Sequence, residues 1–233
     1  MRSGDRMTTT ALAHELTQLL GLDHPPVAVT FHEQVPAEGS HSRPAPEPAG
    51  CCFWARAEDQ RLLTTAADHA HCSVGSYTHG LISLADAAAA EDTATLVASG
   101  WVTKSELTRT ASVKSTPAAI TYQPLAGVDE ADVVLVRLNA RSLMSLQGAC
   151  PELEMVTKPQ CQIVPLARVG VIAVSPGCAV SRARTGLPAD ELTCAFPVRK
   201  LREVVTRLTR STAADATVGA YAGADIEQNF APA

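Results

Sequence analysis

The chain has 233 residues, of which 46% are hydrophobic and 18% charged, and a formal net charge of −5. That length is enough to bury a core without covalent staples, and the composition is that of a compact folded protein. The negative balance argues against a surface built for a phosphate backbone, and no apolar run reaches the roughly 20 residues that span a bilayer.

Residues 8–20 place Leu12, Leu16, Leu19 and Leu20 at helical spacing, and "GLDHPP" then breaks the helix. "VAVTF" (27–31) is short and β-branched, which predicts a strand, and the Pro-rich segment 36–50 predicts an exposed loop. The Ala-rich stretch 80–100 predicts a helix, and 103–111 a second one opened by a capping box of Thr103 and Glu106. "PAAITYQPL" (117–125) is strand-like. Within 131–150, "VVLVRL" predicts a buried strand and "ARSLMSLQGA" a following helix. Two further strands are expected, within 169–178 and 192–198. A closing helix carries Leu201, Val204, Val205 and Leu208 on one face. Its basic stretch "RKLREVVTRLTR" (199–210) reads as a wet helix face rather than a nucleic-acid patch. The expected architecture is α+β, a single mixed domain with a central sheet flanked by helices. It spans 8–225, with 1–7 and 226–233 as flexible tails.

The N-terminus lacks an uninterrupted apolar stretch, so no signal peptide is expected and the protein is placed in the cytoplasm. Seven cysteines there stay reduced and serve as core fillers, metal ligands or reactive groups. None forms a CxxC pair, so the familiar zinc-finger, thioredoxin and compact ferredoxin spacings are missing. Context separates them instead. Cys72 precedes "SVGSYTHG", Cys178 follows a Pro-Gly pair and Cys161 follows Pro159. Turns of that kind leave room for an inorganic group and for backbone N–H donors to its sulfurs. Cys194, in the middle of "LTCAFPV", reads as an ordinary core residue. His69 and His71 with Asp68 form either part of a zinc site or a solvated loop, and His79 is a candidate proton donor. No GxSxG, HExxH, P-loop or GxGxxG element is present.

The pieces "LGLDHPPVAVTF", "CCFWARA", "HCSVGSYTHGL", "ADVVLVRL", "KPQCQIVPLA" and "PGCAVSRARTGLPADELTCAFPVRKL" resemble the DUF169 family of uncharacterised bacterial and archaeal proteins. The resemblance runs from about residue 12 to 222. It implies matching cysteines at Cys52, Cys72, Cys161 and Cys178, with Cys52 preferred to Cys51 by its distance from Ala57. Arg182 and Glu191 are implied as recurrent polar partners. Widely separated soft thiolates suit a [4Fe–4S] cluster, with zinc as the competitor. The expected function is therefore an enzyme using an open cluster iron on a small molecule. Arg182 would hold an anionic group, and Glu191 or His79 would move a proton. An electron-transfer or redox-sensing protein, and a zinc or metal-free binding protein, remain as alternatives. The expected partner is a small-molecule substrate, with no nucleic acid and no membrane, and a homo-oligomer is left open.

Overall fold

The computed structural model describes residues 8–37, 47–128 and 130–230. Along the chain these form α1 (Thr9–Leu20), β1 (Val27–His32), α2 (Cys52–Arg56), β2 (Leu62–Thr64), α3 (Ser73–Thr78), α4 (Leu84–Ala89) and α5 (Glu91–Ala98). There follow α6 (Lys104–Arg109), β3 (Ala119–Pro124), β4 (Val133–Leu138), α7 (Ala140–Ala149) and β5 (Glu154–Met155). The remainder is α8 (Ile163–Arg168), β6 (Ala173–Ser175), α9 (Ala179–Thr185), β7 (Leu192–Pro197) and α10 (Leu201–Asn229). Seven strands make one mixed sheet in the order β2-β3-β1-β4-β7-β6-β5, antiparallel throughout except for the β5–β6 edge. This is the α+β arrangement of a central sheet flanked by helices.

Local chemistry explains the elements. Thr8 caps α1 by accepting from the Ala11 N–H, and Gly21 ends it in the left-handed conformation (φ 59°) that glycine adopts without a Cβ penalty. Asn139 stops β4 and starts α7 by accepting from the Ser142 N–H at 2.9 Å. The Thr103–Glu106 capping box opens α6 as its sequence predicts.

Strand alternation sends successive side chains to opposite faces of the sheet. Val134, Val136 and Leu138 of β4 and Cys194 and Phe196 of β7 face α1, α7 and α10, joining Leu16, Leu146 and Leu208 in one apolar core. Val133 and Leu135 face the other way with Val29, Tyr122 and Ala195, against Phe53, Trp54 and α8. The first face is covered by three regular helices, the second by short helices and turns.

Three elements differ from their sequence expectation. The helix expected over 80–100 is two helices, because Ala90 turns extended (ψ 144°) and a new N-terminus begins at Glu91. That restart lets Asp92 accept from the N–H groups of Ser73 and Thr93. The strand expected within 169–178 shrinks to Ala173–Ser175, since Gly170 takes φ 112° in the turn after α8. The closing helix runs on to Asn229, through residues expected to fray, with its buried face confined to Leu201, Val204, Val205 and Leu208. The residues 38–46 of the expected loop, and 1–7 and 231–233 of the expected tails, lie outside the described residues. Among the described residues no helix is long and apolar enough to cross a membrane.

Candidate functional site

Four cysteines from four separated segments border one cavity on the short-helix face. Cys51, Cys72, Cys161 and Cys178 line it together with Gly50, Gly75 and His79, around about 470 Å³ of free space that is partly open to solvent. Each stands at the start of a helix or 3-10 turn. Cys51 precedes α2, Cys72 precedes α3, Cys178 precedes α9, and Cys161 occupies the turn Gln160–Gln162 before α8. Helix starts leave backbone N–H groups without intrahelical partners, so donors are available to sulfur. One is already used: the Ser181 N–H donates to Cys178 Sγ at 3.3 Å.

Hydrogen bonds tie the segments together. Arg184 of α9 donates to the carbonyls of Pro48 and His71, both at 2.9 Å, holding the Cys51 and Cys72 segments against the helix of Cys178. Ser181 Oγ donates to Gln160 Oε1 at 2.7 Å, and Gln160 Nε2 donates to Thr193 Oγ1 at 3.1 Å, fixing the Cys161 turn on β7. Gly50 is dictated by packing, because a Cβ there would lie 2.5 Å from His69 Nδ1.

Beneath the cysteines lies a cluster of rings. Phe53, His69 and Tyr122 touch one another, His69 and His79 lie 5.6 Å apart between centroids, and Trp54 lies 6.5 Å from His79. Trp54 Nε1, His69 Nδ1, His79 Nε2 and Tyr122 Oη are all buried with no hydrogen-bond partner among the described residues. Such orphans normally cost about 1–3 kcal/mol each; the Trp54 N–H lies beside Tyr122 Oη, which leaves the two histidine nitrogens as the bare positions of the cluster.

The tautomers follow from the partners. Gly75 O, 2.9 Å from His79 Nδ1, accepts its proton, which leaves Nε2 as a bare lone pair. Thr64 Oγ1 donates to Ile120 O, so it accepts from His69 Nε2, and His69 Nδ1 is bare as well. Burial pushes His79 down to about 4 and His69 well below the usual histidine range, so both rings are neutral.

The thiols respond in the opposite direction. Contact with Cys52 and then burial raise Cys51, and burial raises Cys72 and Cys161. Without a metal these thiols keep their protons. Among the described residues no three His, Cys, Asp or Glu side chains converge closely enough to hold a single metal ion.

The other sequence candidates fall as follows. Cys52 turns away from the cavity, its Sγ 3.5 Å from Arg184 O. The cavity thiol of the vicinal pair is Cys51. Arg182 does not line the cavity and donates to the carbonyls of Pro176, Leu187, Pro188 and Glu191, which makes it a staple for the 176–191 segment. Glu191 pairs with Arg137 Nε at 2.5 Å and does not line the cysteine cavity. Asp68 caps Thr65, His71 is exposed and His69 is buried, so these three do not form one site.

Two signals for the missed residues were in the sequence. Arg137 is the single charge in the apolar strand "VVLVRL", and Gly50 directly precedes Cys51. Glu58 and Gln160 carried no such signal. Residues 15–207 match the family model of DUF169, described as an uncharacterised ArCR family. No curated protein and no solved structure matches the chain.

Proposed function

The chain belongs to the DUF169 family, and from its cysteine cavity we propose that it is a cytoplasmic iron–sulfur enzyme acting on a small molecule. Cys51, Cys72 and Cys178 would hold three irons of a [4Fe–4S] cluster, and Cys161 would stand beside the fourth, which stays open to substrate. The observation that carries this reading is the meeting of four thiols, from segments up to 127 residues apart (51 to 178), around one cavity above two bare histidine nitrogens.

The donor set fits the group. Soft thiolates select iron–sulfur clusters or zinc over hard cations. A tetrahedral zinc with Zn–S bonds of about 2.3 Å holds its sulfurs about 3.8 Å apart. A cubane spreads its ligands around a larger body, in keeping with thiols that line a cavity without converging on one point. When bound, such a cluster supplies a Lewis-acidic iron or a site for sulfur handling.

The chain's own residues supply the remainder. The Ser181 N–H is a donor to Cys178. The Trp54 N–H lies beside Tyr122 Oη, so of this pair the Tyr122 O–H is the donor left for a bound group. His79, held by Gly75 O, keeps a bare Nε2 that can accept a hydrogen bond from a bound group. A second, largely apolar cavity shares Cys51 and Gln160 with the first, and this favours an enzyme over an electron carrier, which has no use for a substrate space.

Anaerobic purification with iron and acid-labile sulfide analysis tests the reading. About four of each per chain is expected. Zinc alone, or no metal after reconstitution, rejects it.

A further inference from the structure

Cys51 and Gln160 each face two cavities. The second encloses about 490 Å³ of free space, partly open to solvent, and is walled by Val27, Trp54, Leu135 and Leu187 on its apolar side and by Glu58 and Arg137 on its polar side.

Arg137 holds the key to its chemistry. The residue occupies β4 on the face of Val133 and Leu135, where a charge is expensive to keep. Its Nη1 meets Glu58 Oε1 at 3.0 Å and its Nε meets Glu191 Oε2 at 2.5 Å, while Nη2 bonds to none of the described residues. His24 lies 2.8 Å from Glu58 Oε2 and 3.7 Å from Glu191 Oε1. All four side chains are only 16–33% exposed. A simple ion pair needs one carboxylate for one guanidinium. With two, the set carries one net negative charge when His24 is neutral and none when it is protonated.

With His24 neutral, a pocket so arranged repels an incoming carboxylate or phosphate. It offers acceptors from Glu58 beside a donor edge at Arg137 Nη2, which together match a head group with N–H donors next to a carbonyl or imine. We infer that this second cavity is a substrate pocket for a small, flat, apolar-bodied molecule with an amide- or amidine-type head group, neutral or cationic, and that it excludes anions. The inference rests on the iron–sulfur reading only for what lies across the shared wall of Cys51 and Gln160.

Benzamidine, benzamide and benzoate share one ring and differ in head-group charge. They would be titrated into the full-length Trp101→Phe protein, with Trp54 fluorescence as the readout and metal-free and iron-loaded protein run in parallel. Benzamidine and benzamide should bind at least about tenfold more tightly than benzoate, a difference of about 1.4 kcal/mol. Glu58→Gln should collapse that preference, and Glu191→Gln removes the same charge should the first variant fail to fold. Benzoate binding as well as benzamidine, or no response to any probe, overturns the inference. Charge selectivity in metal-free protein sustains it even if iron analysis rejects the cluster. A normal iron and sulfide content without probe binding overturns the pocket alone.

Discussion

On the helical face of the sheet, Cys150 and Cys194 are packed among Leu146, Phe196 and Leu208 under α1, α7 and α10. On the opposite face, Cys51, Cys72, Cys161 and Cys178 border a cavity above His69, His79, Trp54 and Tyr122. The same strands serve both. Val134 and Val136 supply the first face and Val133, Leu135 and Arg137 the second, by alternation alone. None of the buried unpartnered polar atoms among the described residues belongs to the helix-side core. Cys150 and Cys194 are buried, whereas of the cavity thiols only Cys161 is, and Cys51, Cys72 and Cys178 stay partly exposed. The helical face is closed by regular secondary structure that satisfies its own backbone. The other is closed by short helices and turns, and that irregularity leaves a cavity between them.

The sharpest way to break the contrast is to change one thiol on each face. Cys72→Ser and Cys178→Ser should each drop iron in reconstituted protein from about four per chain to below about one, whereas Cys161→Ser should keep most of it. Cys194→Ala and Cys150→Ala should leave iron unchanged. If all five variants hold the same iron, the two faces do not differ in function. The reverse experiment is Phe196→Ala, which should cost about 3–5 kcal/mol in urea unfolding because the ring is fully buried among apolar side chains. Iron per folded chain should not change in that variant.

The two faces were unequally legible in the sequence. Period-3.6 leucines in α1, the apolar run of β4 and the apolar face of α10 announced the helical side, and Cys194 in mid-strand read correctly as core. Periodicity works there because regular elements bury one continuous stripe. The other face has little regular structure to reveal. β2 and β5, with three and two residues, are too short for alternation to register. The break at Ala90 has no proline or glycine to mark it. Arg182 illustrates the deeper limit: an arginine beside a candidate cysteine looks like a substrate clamp until its donors are traced to four carbonyls. Partnership between distant residues, as between Glu58 and Arg137, leaves no local trace.

Acid distinguishes the faces more gently. His79 titrates near 6.5 when unfolded and is pushed down to about 4 by burial in the fold, so the unfolded chain binds its proton more readily. Its contribution is complete above pH 6.5 and is lost as pH falls from there toward 4, by about 3 kcal/mol. His69 shifts in the same direction. Urea unfolding of metal-free protein between pH 7 and 4.5 should show this slope. His79→Gln should flatten it, whereas Phe196→Ala should lower the whole curve and keep its shape. An unchanged slope in His79→Gln would mean that the imidazole is not held neutral by its burial.

The finest division lies between adjacent residues. Cys51 lines the cavity while Cys52, one position on and in contact with it, points its Sγ at the Arg184 carbonyl. Consecutive residues entering a helix diverge by about 100°, so only one of a vicinal pair can serve a given cavity. The Cys52 contact, a thiol donating to a carbonyl at 3.5 Å, is weak, and its removal should cost about 1 kcal/mol. Cys52→Ala should therefore unfold slightly earlier in urea and keep its iron, while Cys51→Ala should lose most of it. The opposite result would place Cys52 at the inorganic centre. The segment before α2 would then have to turn by one residue on loading, carrying Gly50 away from His69 and freeing the His69 Nδ1 that it now shields.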